Sequence, residues 1–284
     1  KTGIVTPQNA FGALPIQRAD VQTAISILHR AYEGGMTFFD TARAYSDSEK
    51  KLGLAFEGMW DKLVIATKTM AKTPEEFWEQ LNTSLELLKT DAIDLYQFHC
   101  VNQVYAPGDG TGMYECMLEA KAKGMIKHIG VTAHKLQIAV DCVESGLYET
   151  LQFPFSYLSS EKELALVELC KQKDVGFIAM KGLAGGLINK SDVAMAYMTQ
   201  FDNVLPIWGI QKMSELDEWL SFMENTPQLT EEIKAYMEKE KEGYSRAVKS
   251  ILLECEKDAN LSKGVKGVLA NLITVPKEYQ TAIE

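Results

Sequence analysis

Between residue 9 and about residue 219 the chain alternates short apolar runs with amphipathic runs, eight times over. No other feature limits its fold so strongly. A short apolar run bounded by turn residues reads as a buried strand, and apolar residues three and four apart read as a helix packed on it. The strand candidates are residues 9–14, 37–40, 62–67, 92–99, 126–132, 151–153, 176–180 and 204–207. The helices that follow them are expected over residues 21–33, 48–56, 73–88, 113–123, 136–145, 160–173, 191–198 and 214–222. Several ends are marked. Gly34-Gly35, Gly124 and Gly146 close helices, Thr73-Pro74-Glu75-Glu76 opens one, and Ser48 reads as the N-cap of another. Eight strand–helix units in one chain of 284 residues predict an α/β fold, a (β/α)8 TIM barrel. The alternative, a doubly wound open sheet, would normally carry G-x-G-x-x-G after its first strand, and none is present.

The alternation then stops. Residues 1–226 are read as the barrel and residues 227–284 as a C-terminal helical extension. In the extension a charged helix over 229–241 is expected to break at Gly243-Tyr244. It resumes over 245–257, and a strand-like run over 267–275 precedes Pro276.

Charge and cysteine usage exclude some classes of function. A net charge of −10 argues against a non-specific nucleic-acid binder, which needs a basic face. It leaves room for a nucleotide cofactor held by local cations and helix N-termini. No apolar run reaches 18 residues, so no membrane span is expected, and the polar opening suggests no signal peptide. Cys100, Cys116, Cys142, Cys170 and Cys255 are scattered, odd in number and without a C-x-x-C pair. That pattern favours a reducing cytoplasm and disfavours a zinc or iron–sulfur site, so no metal ligands are assigned.

A barrel of this kind builds its active site at the C-terminal ends of its strands. Asp40 closes the second strand and Tyr45 follows in its loop; Lys68 follows the third strand and His99 closes the fourth. Each alone has a bland explanation. Four proton-handling groups on successive strand ends make a chemical set. A phenol, with a pKa of about 10, is a poor acid at neutral pH until a nearby ammonium favours its phenolate. A carboxylate keeps that ammonium charged and in place, and an imidazole can orient a carbonyl oxygen. The set suits carbonyl reduction, with Tyr45 as general acid.

Phe39-Asp40-Thr41-Ala42-Arg43-Ala44-Tyr45, Ala66-Thr67-Lys68 and Asp94-Leu95-Tyr96-Gln97-Phe98-His99 resemble the aldo-keto reductases. So do Lys123-Gly124-Met125-Ile126-Lys127-His128-Ile129-Gly130-Val131-Thr132, Leu151-Gln152-Phe153 and Met180-Lys181-Gly182-Leu183-Ala184-Gly185-Gly186. The resemblance covers residues 2–220. It implies a nicotinamide cofactor extended across the barrel mouth and a catalytic tetrad of Asp40, Tyr45, Lys68 and His99. It also implies that Gln152 meets the carboxamide, that Leu183 and its neighbours cover the pyrophosphate, and that residues 209–218 meet the adenosine end. The cofactor-binding candidates are thus Thr132, Gln152, Met180, Lys181, Leu183, Gln211, Lys212, Glu215 and Glu218.

Departures from the family pattern affect the cofactor. Thr132-Ala133 stands where Ser-Asn is usual, Met180 replaces a stacking aromatic, and Glu215 sits where an arginine is common. NADP and NAD both remain open, with a slight preference for NADPH. The barrel resembles the branch that carries a ferredoxin-like tail, yet no cysteine cluster is present to hold an iron–sulfur cluster. The resemblance implies reduction of an aldehyde or ketone, or the reverse. The alternative is a nicotinamide-binding sensor barrel with little turnover. The loop over residues 100–112, with Tyr105, Pro107 and Gly108, and the aromatic Trp208 are expected to shape the substrate pocket. Stretches of residues 243–284 resemble part of the hinge of structural-maintenance-of-chromosomes proteins, suggesting a fused segment to which no DNA-binding role is attached.

Overall fold

The computed structural model describes residues 1–257, with side chains through residue 246. Strand and helix alternate as β1 (Ala10–Gly12), α1 (Val21–Glu33), β2 (Phe38–Asp40), α2 (Ser48–Phe56), β3 (Val64–Thr69), α3 (Pro74–Leu88), β4 (Ile93–Phe98) and α4 (Met113–Ala122). They continue as β5 (Ile126–Thr132), α5 (Leu136–Glu144), β6 (Thr150–Pro154), α6 (Glu161–Gln172), β7 (Gly176–Met180), α7 (Ser191–Met198), β8 (Val204–Gly209) and α8 (Met213–Glu224). Each strand pairs in parallel with the next, and β8 pairs with β1 to close the barrel. The fold is a (β/α)8 TIM barrel.

Local chemistry sets the helix boundaries. Asp20 accepts from the Thr23 amide at the start of α1, and Thr73 accepts from the Glu76 amide before α3, whose first residue is Pro74. Ser160 and Glu163 form a capping box ahead of α6.

Strand alternation builds the lumen in layers. Ala10, Phe38, Ala66, Leu95, Ile178 and Ile207 form one buried apolar cluster. Two residues further along β2, β3 and β4, the same faces present Asp40, Lys68 and Gln97. The register sets Asp40 opposite Ala66 and Lys68 opposite Gln97. The lumen therefore changes from hydrocarbon to polar side chains near the C-terminal ends of the strands.

Four sequence expectations are corrected. β1 is only three residues long, because Leu14 already leads into a 3-10 turn at Pro15–Arg18. β3 runs to Thr69, which pairs with Phe98, so Lys68 lies inside the strand. Ser48 is the first residue of α2, and Asp47 holds the cap position; the Ser48 hydroxyl is spent on Ala13 O at 2.9 Å and Thr41 Oγ1 at 2.8 Å. Gly243 does not break the tail, which is one helix, α9 (Glu231–Lys257). A glycine inside a helix costs only about 0.5–1 kcal/mol. Compactness divides the chain into Lys1–Pro227 and Gln228–Glu284. The strand-like run over 267–275 and the hinge-like stretch from residue 264 onward lie outside the described residues. Among the described residues, no helix is long and apolar enough to cross a membrane.

Candidate active site

The polar layer of the lumen is a hydrogen-bonded cluster. Lys68 Nζ donates to Asp40 Oδ1 at 2.7 Å and to Thr41 O at 2.7 Å. Both side chains are almost wholly buried. Gln152 Nε2, from β6, donates to Asp40 Oδ1 at 3.4 Å, and Gln97 Nε2 donates to Asp40 Oδ2 at 3.4 Å. Gln97 Nε2 also donates to Gln152 Oε1 at 3.2 Å. Burial pushes the Asp40 carboxyl upward, and Lys68, Gln152 and Gln97 oppose it by favouring the carboxylate.

Tyr45 reaches the same cluster from the loop after β2. The loop is pinned along β3, with Thr41 N donating to Ala66 O at 2.8 Å and Arg43 N to Lys68 O at 3.0 Å. Arg43 pairs with the buried Glu49, whose other oxygen accepts from Thr67 Oγ1 at 2.6 Å and Ser84 Oγ at 2.7 Å. These bonds tie loop, α2, β3 and α3 into one support. Tyr45 is buried, and the Lys68 ammonium lies 5.0 Å from its ring centroid.

His99 stands one residue past β4, its amide donating to Thr69 O at 2.9 Å. Its ring meets the Tyr45 ring edge-on, with centroids 5.7 Å apart and planes at 79°. Burial, with Lys68, His134 and Lys72 adding to it, pushes its pKa down to about 3. The imidazole is therefore neutral near pH 7, and its buried Nδ1 has no protein partner among the described residues. Asp40, Tyr45, Lys68 and His99 thus form one contiguous group that can hold, polarise and protonate an oxygen atom.

The cofactor candidates fall into separate places. Thr132 Oγ1 accepts from Cys100 N at 2.7 Å and so steadies the turn after His99. Met180 ends β7, with its sulfur 3.9 Å from Gln152 Nε2. The turn after β7 contains Lys181, Ala184, Gly185 and Gly186 at positive φ. Gly185 and Gly186 are exposed, and Leu183 is half-buried. At the start of α8, Glu215 Oε2 accepts from the Gln211 and Lys212 amides at 2.9 and 3.1 Å. Glu215 therefore caps its own helix. Gln211 Oε1 accepts from Arg18 Nη1 at 3.4 Å, and the Lys212 side chain is exposed. Glu218 accepts from the Ser191 hydroxyl, joining α8 to the start of α7.

Two expected pocket residues are engaged in packing. Trp208, on the opposite face of β8 from the lumen residue Ile207, stacks on Trp219 of α8 at 3.8 Å and 11°. Tyr105 packs on Phe98 with ring centroids 4.7 Å apart, and its amide and carbonyl both bond the Tyr148 hydroxyl. Sequence reasoning missed Gln97. Its signal was a polar residue in the middle of a strand buried on both faces.

Comparison with known proteins bears on the family and the fold. The sequence profile described as the Aldo/keto reductase family matches residues 9–204. The aldo-keto reductase YhdN of Bacillus subtilis is 30% identical over 193 residues, covering 63% of this chain and 57% of YhdN. The chain thus spans less than two thirds of that relative's length. Among solved structures, an aldo-keto reductase of Bacillus halodurans in its holo form superposes with a TM-score of 0.75 at 21% identity, covering 84% of this chain and 94% of that one. One from Klebsiella pneumoniae in complex with NADPH gives 0.70 at 22% identity, with 82% and 90% covered.

Proposed function

The chain belongs to the aldo/keto reductase family, and from that premise we propose that it is an NAD(P)H-dependent oxidoreductase interconverting an aldehyde or ketone with its alcohol. The observation that carries this reading is the Lys68 ammonium, held by Asp40 at 2.7 Å and set 5.0 Å from the Tyr45 ring. A fixed positive charge beside a phenol stabilises the phenolate left when the proton moves to a substrate oxygen. Asp40 and Thr41 hold that ammonium in place. His99, neutral at pH 7, can donate one N–H to the carbonyl oxygen without adding a competing charge. When bound, the reduced nicotinamide supplies the hydride. Burial of all four side chains keeps bulk water from the reacting oxygen.

The residues present fit such a cofactor. The Gln152 amide stands beside Asp40 on the lumen side, with one oxygen lone pair left and its second N–H held only by the Met180 sulfur, a weak acceptor. Positive φ at Lys181, Ala184, Gly185 and Gly186 curls the chain after β7 into a tight turn whose Ala184 and Gly186 amides bond back into it, and the exposed Gly185 and Gly186 present no side chain that would keep a pyrophosphate away. At the start of α8, Arg18 and Lys212 are exposed cations, while one Glu215 oxygen is bound to two backbone amides. This charge arrangement favours the 2′-phosphate of NADPH over the bare ribose of NADH.

The test is steady-state oxidation of NADPH and NADH, in parallel, with a panel of aldehydes and ketones. Carbonyl-dependent oxidation that is lost in Tyr45→Phe is the expected result. Tight cofactor binding with no carbonyl-dependent turnover would instead make the protein a nicotinamide sensor. Lys212→Ala should weaken NADPH and leave NADH unchanged; equal effects on both would remove the cofactor preference.

A further inference from the structure

Gln97 is unexposed and lies in the lumen under the candidate site, yet the tetrad does not include it. Its place is prepared by its neighbour. Gly130 of β5 stands opposite Gln97, and a Cβ there would lie 2.9 Å from Gln97 Cγ and 2.3 Å from Thr150 Oγ1. The barrel wall omits a side chain where the Gln97 stem and the Thr150 hydroxyl need room.

The hydrogen bonds around Gln97 close a triangle. One N–H of Gln97 goes to Asp40 Oδ2 and one to Gln152 Oε1, while Gln152 Nε2 goes to Asp40 Oδ1. An ionised carboxylate only accepts, so both amides must turn their NH2 groups toward Asp40. Asp40 alone would still let the Gln152 amide swing about a single contact. The bond from Gln97 to Gln152 Oε1 removes that freedom. What remains on Gln152 is one oxygen lone pair and the N–H aimed at the Met180 sulfur, a weak acceptor that a carboxamide oxygen can replace, so that the pair complements a carboxamide.

We infer that Gln97 is a positioning residue for the cofactor's carboxamide: it fixes the direction of the Gln152 amide and helps hold the charge on Asp40. This rests on the nicotinamide reading above. Gln97 itself touches neither substrate nor reacting atoms.

Two variants test it, with NADPH and NADH as ligands and fluorescence titration as the readout. Gln97→Met keeps the volume and removes both donors. Its affinity for each cofactor should fall by about tenfold, the usual scale for losing a buried hydrogen bond, with KM for the carbonyl substrate little changed. Gln97→Glu can still donate while its carboxyl is protonated. The ionisable groups facing that position are Asp40 of β2 and Lys68 of β3; β5 and β6 present Gly130, Thr150 and Gln152, which do not titrate. As pH rises, a second carboxylate beside Asp40 should drive the amide triangle apart. Affinity of Gln97→Glu should therefore approach the parent's near about pH 5 and fall away toward about pH 8, more steeply than in the parent protein.

Thermal unfolding is measured alongside, and if Gln97→Met does not fold, the pH series on Gln97→Glu decides. Parent-like affinity in a folded Gln97→Met, or a Gln97→Glu series parallel to the parent's, overturns the inference and leaves the nicotinamide reading intact. Failure of the parent protein to bind either cofactor overturns both.

Discussion

Lys68 Nζ sits 2.7 Å from Asp40 Oδ1 in the barrel lumen, with both side chains almost wholly buried. Breaking such a pair leaves the other charge buried and uncompensated, which costs about 3–5 kcal/mol. Lys68→Met and Asp40→Leu should each destabilise the barrel on that scale in urea unfolding. The double variant should lose clearly less than the sum, because it leaves no orphaned charge. Additive losses would mean that the two side chains are energetically independent.

The Tyr45 hydroxyl carries the proton in the proposed reaction, while the ring supplies only packing. Tyr45→Phe should therefore lower kcat by about 10²–10⁴, the usual contribution of a general acid. Its ring contacts with His99 and Lys68 are retained, so NADPH affinity should stay close to the parent's. Single-turnover kinetics with saturating cofactor separates the two quantities. A kcat within about tenfold of the parent would assign the proton to another group.

The strand ends that gather Asp40, Lys68 and His99 could be counted from the chain because their signals are local. Apolar runs, caps and glycine stops lie within a few residues of what they define. Val21–Glu33, Ile126–Thr132, Gly176–Met180 and Ser191–Met198 were legible to the residue for that reason. Where a side chain points was less legible. Ser48 looks like a cap, but its hydroxyl is claimed by Ala13, thirty-five positions away in sequence. Glu215 reads from the sequence only as a cofactor candidate, and its bonds to the Gln211 and Lys212 amides just ahead of α8 are not visible there. Gln97 shows in the sequence only as a polar residue inside a buried strand; its partners Asp40 and Gln152 are set by the barrel, not by pattern.

His99 gives the fold a definite acid sensitivity. Its folded pKa is pushed down to about 3, against an ordinary value of 6.5. Between those limits the unfolded chain binds a proton that the folded chain refuses, so stability is complete above about pH 6.5 and falls as pH drops. The slope from this one group is at most about 1.4 kcal/mol per pH unit. Urea unfolding from pH 7 to pH 4 should show the decline, and His99→Phe should flatten it. An unchanged slope in that variant would mean that His99 is freely protonated in the folded state.

Gly53 is where α2 and α3 come closest. A Cβ on Gly53 would stand 2.0 Å from Leu87 O and 2.9 Å from Leu88 C, both backbone atoms that no rotamer change can clear. Alanine would gain up to about 1 kcal/mol of helix propensity over glycine. Overpacking against a rigid helix typically costs about 1–3 kcal/mol and here has no soft side chain to absorb it. Gly53→Ala should therefore be net destabilising. Gly243 in α9 has no neighbouring atom among the described residues within 4 Å of the corresponding Cβ, so Gly243→Ala should stabilise its helix. The Gly53 effect should also reach the site, because α2 carries Glu49, whose bonds to Arg43, Thr67 and Ser84 anchor the Tyr45 loop. Pushing α2 away from α3 stretches those bonds first. A loss of both melting temperature and kcat in Gly53→Ala, with cofactor affinity retained, is the expected pattern; unchanged stability would mean that α2 and α3 can separate at no cost.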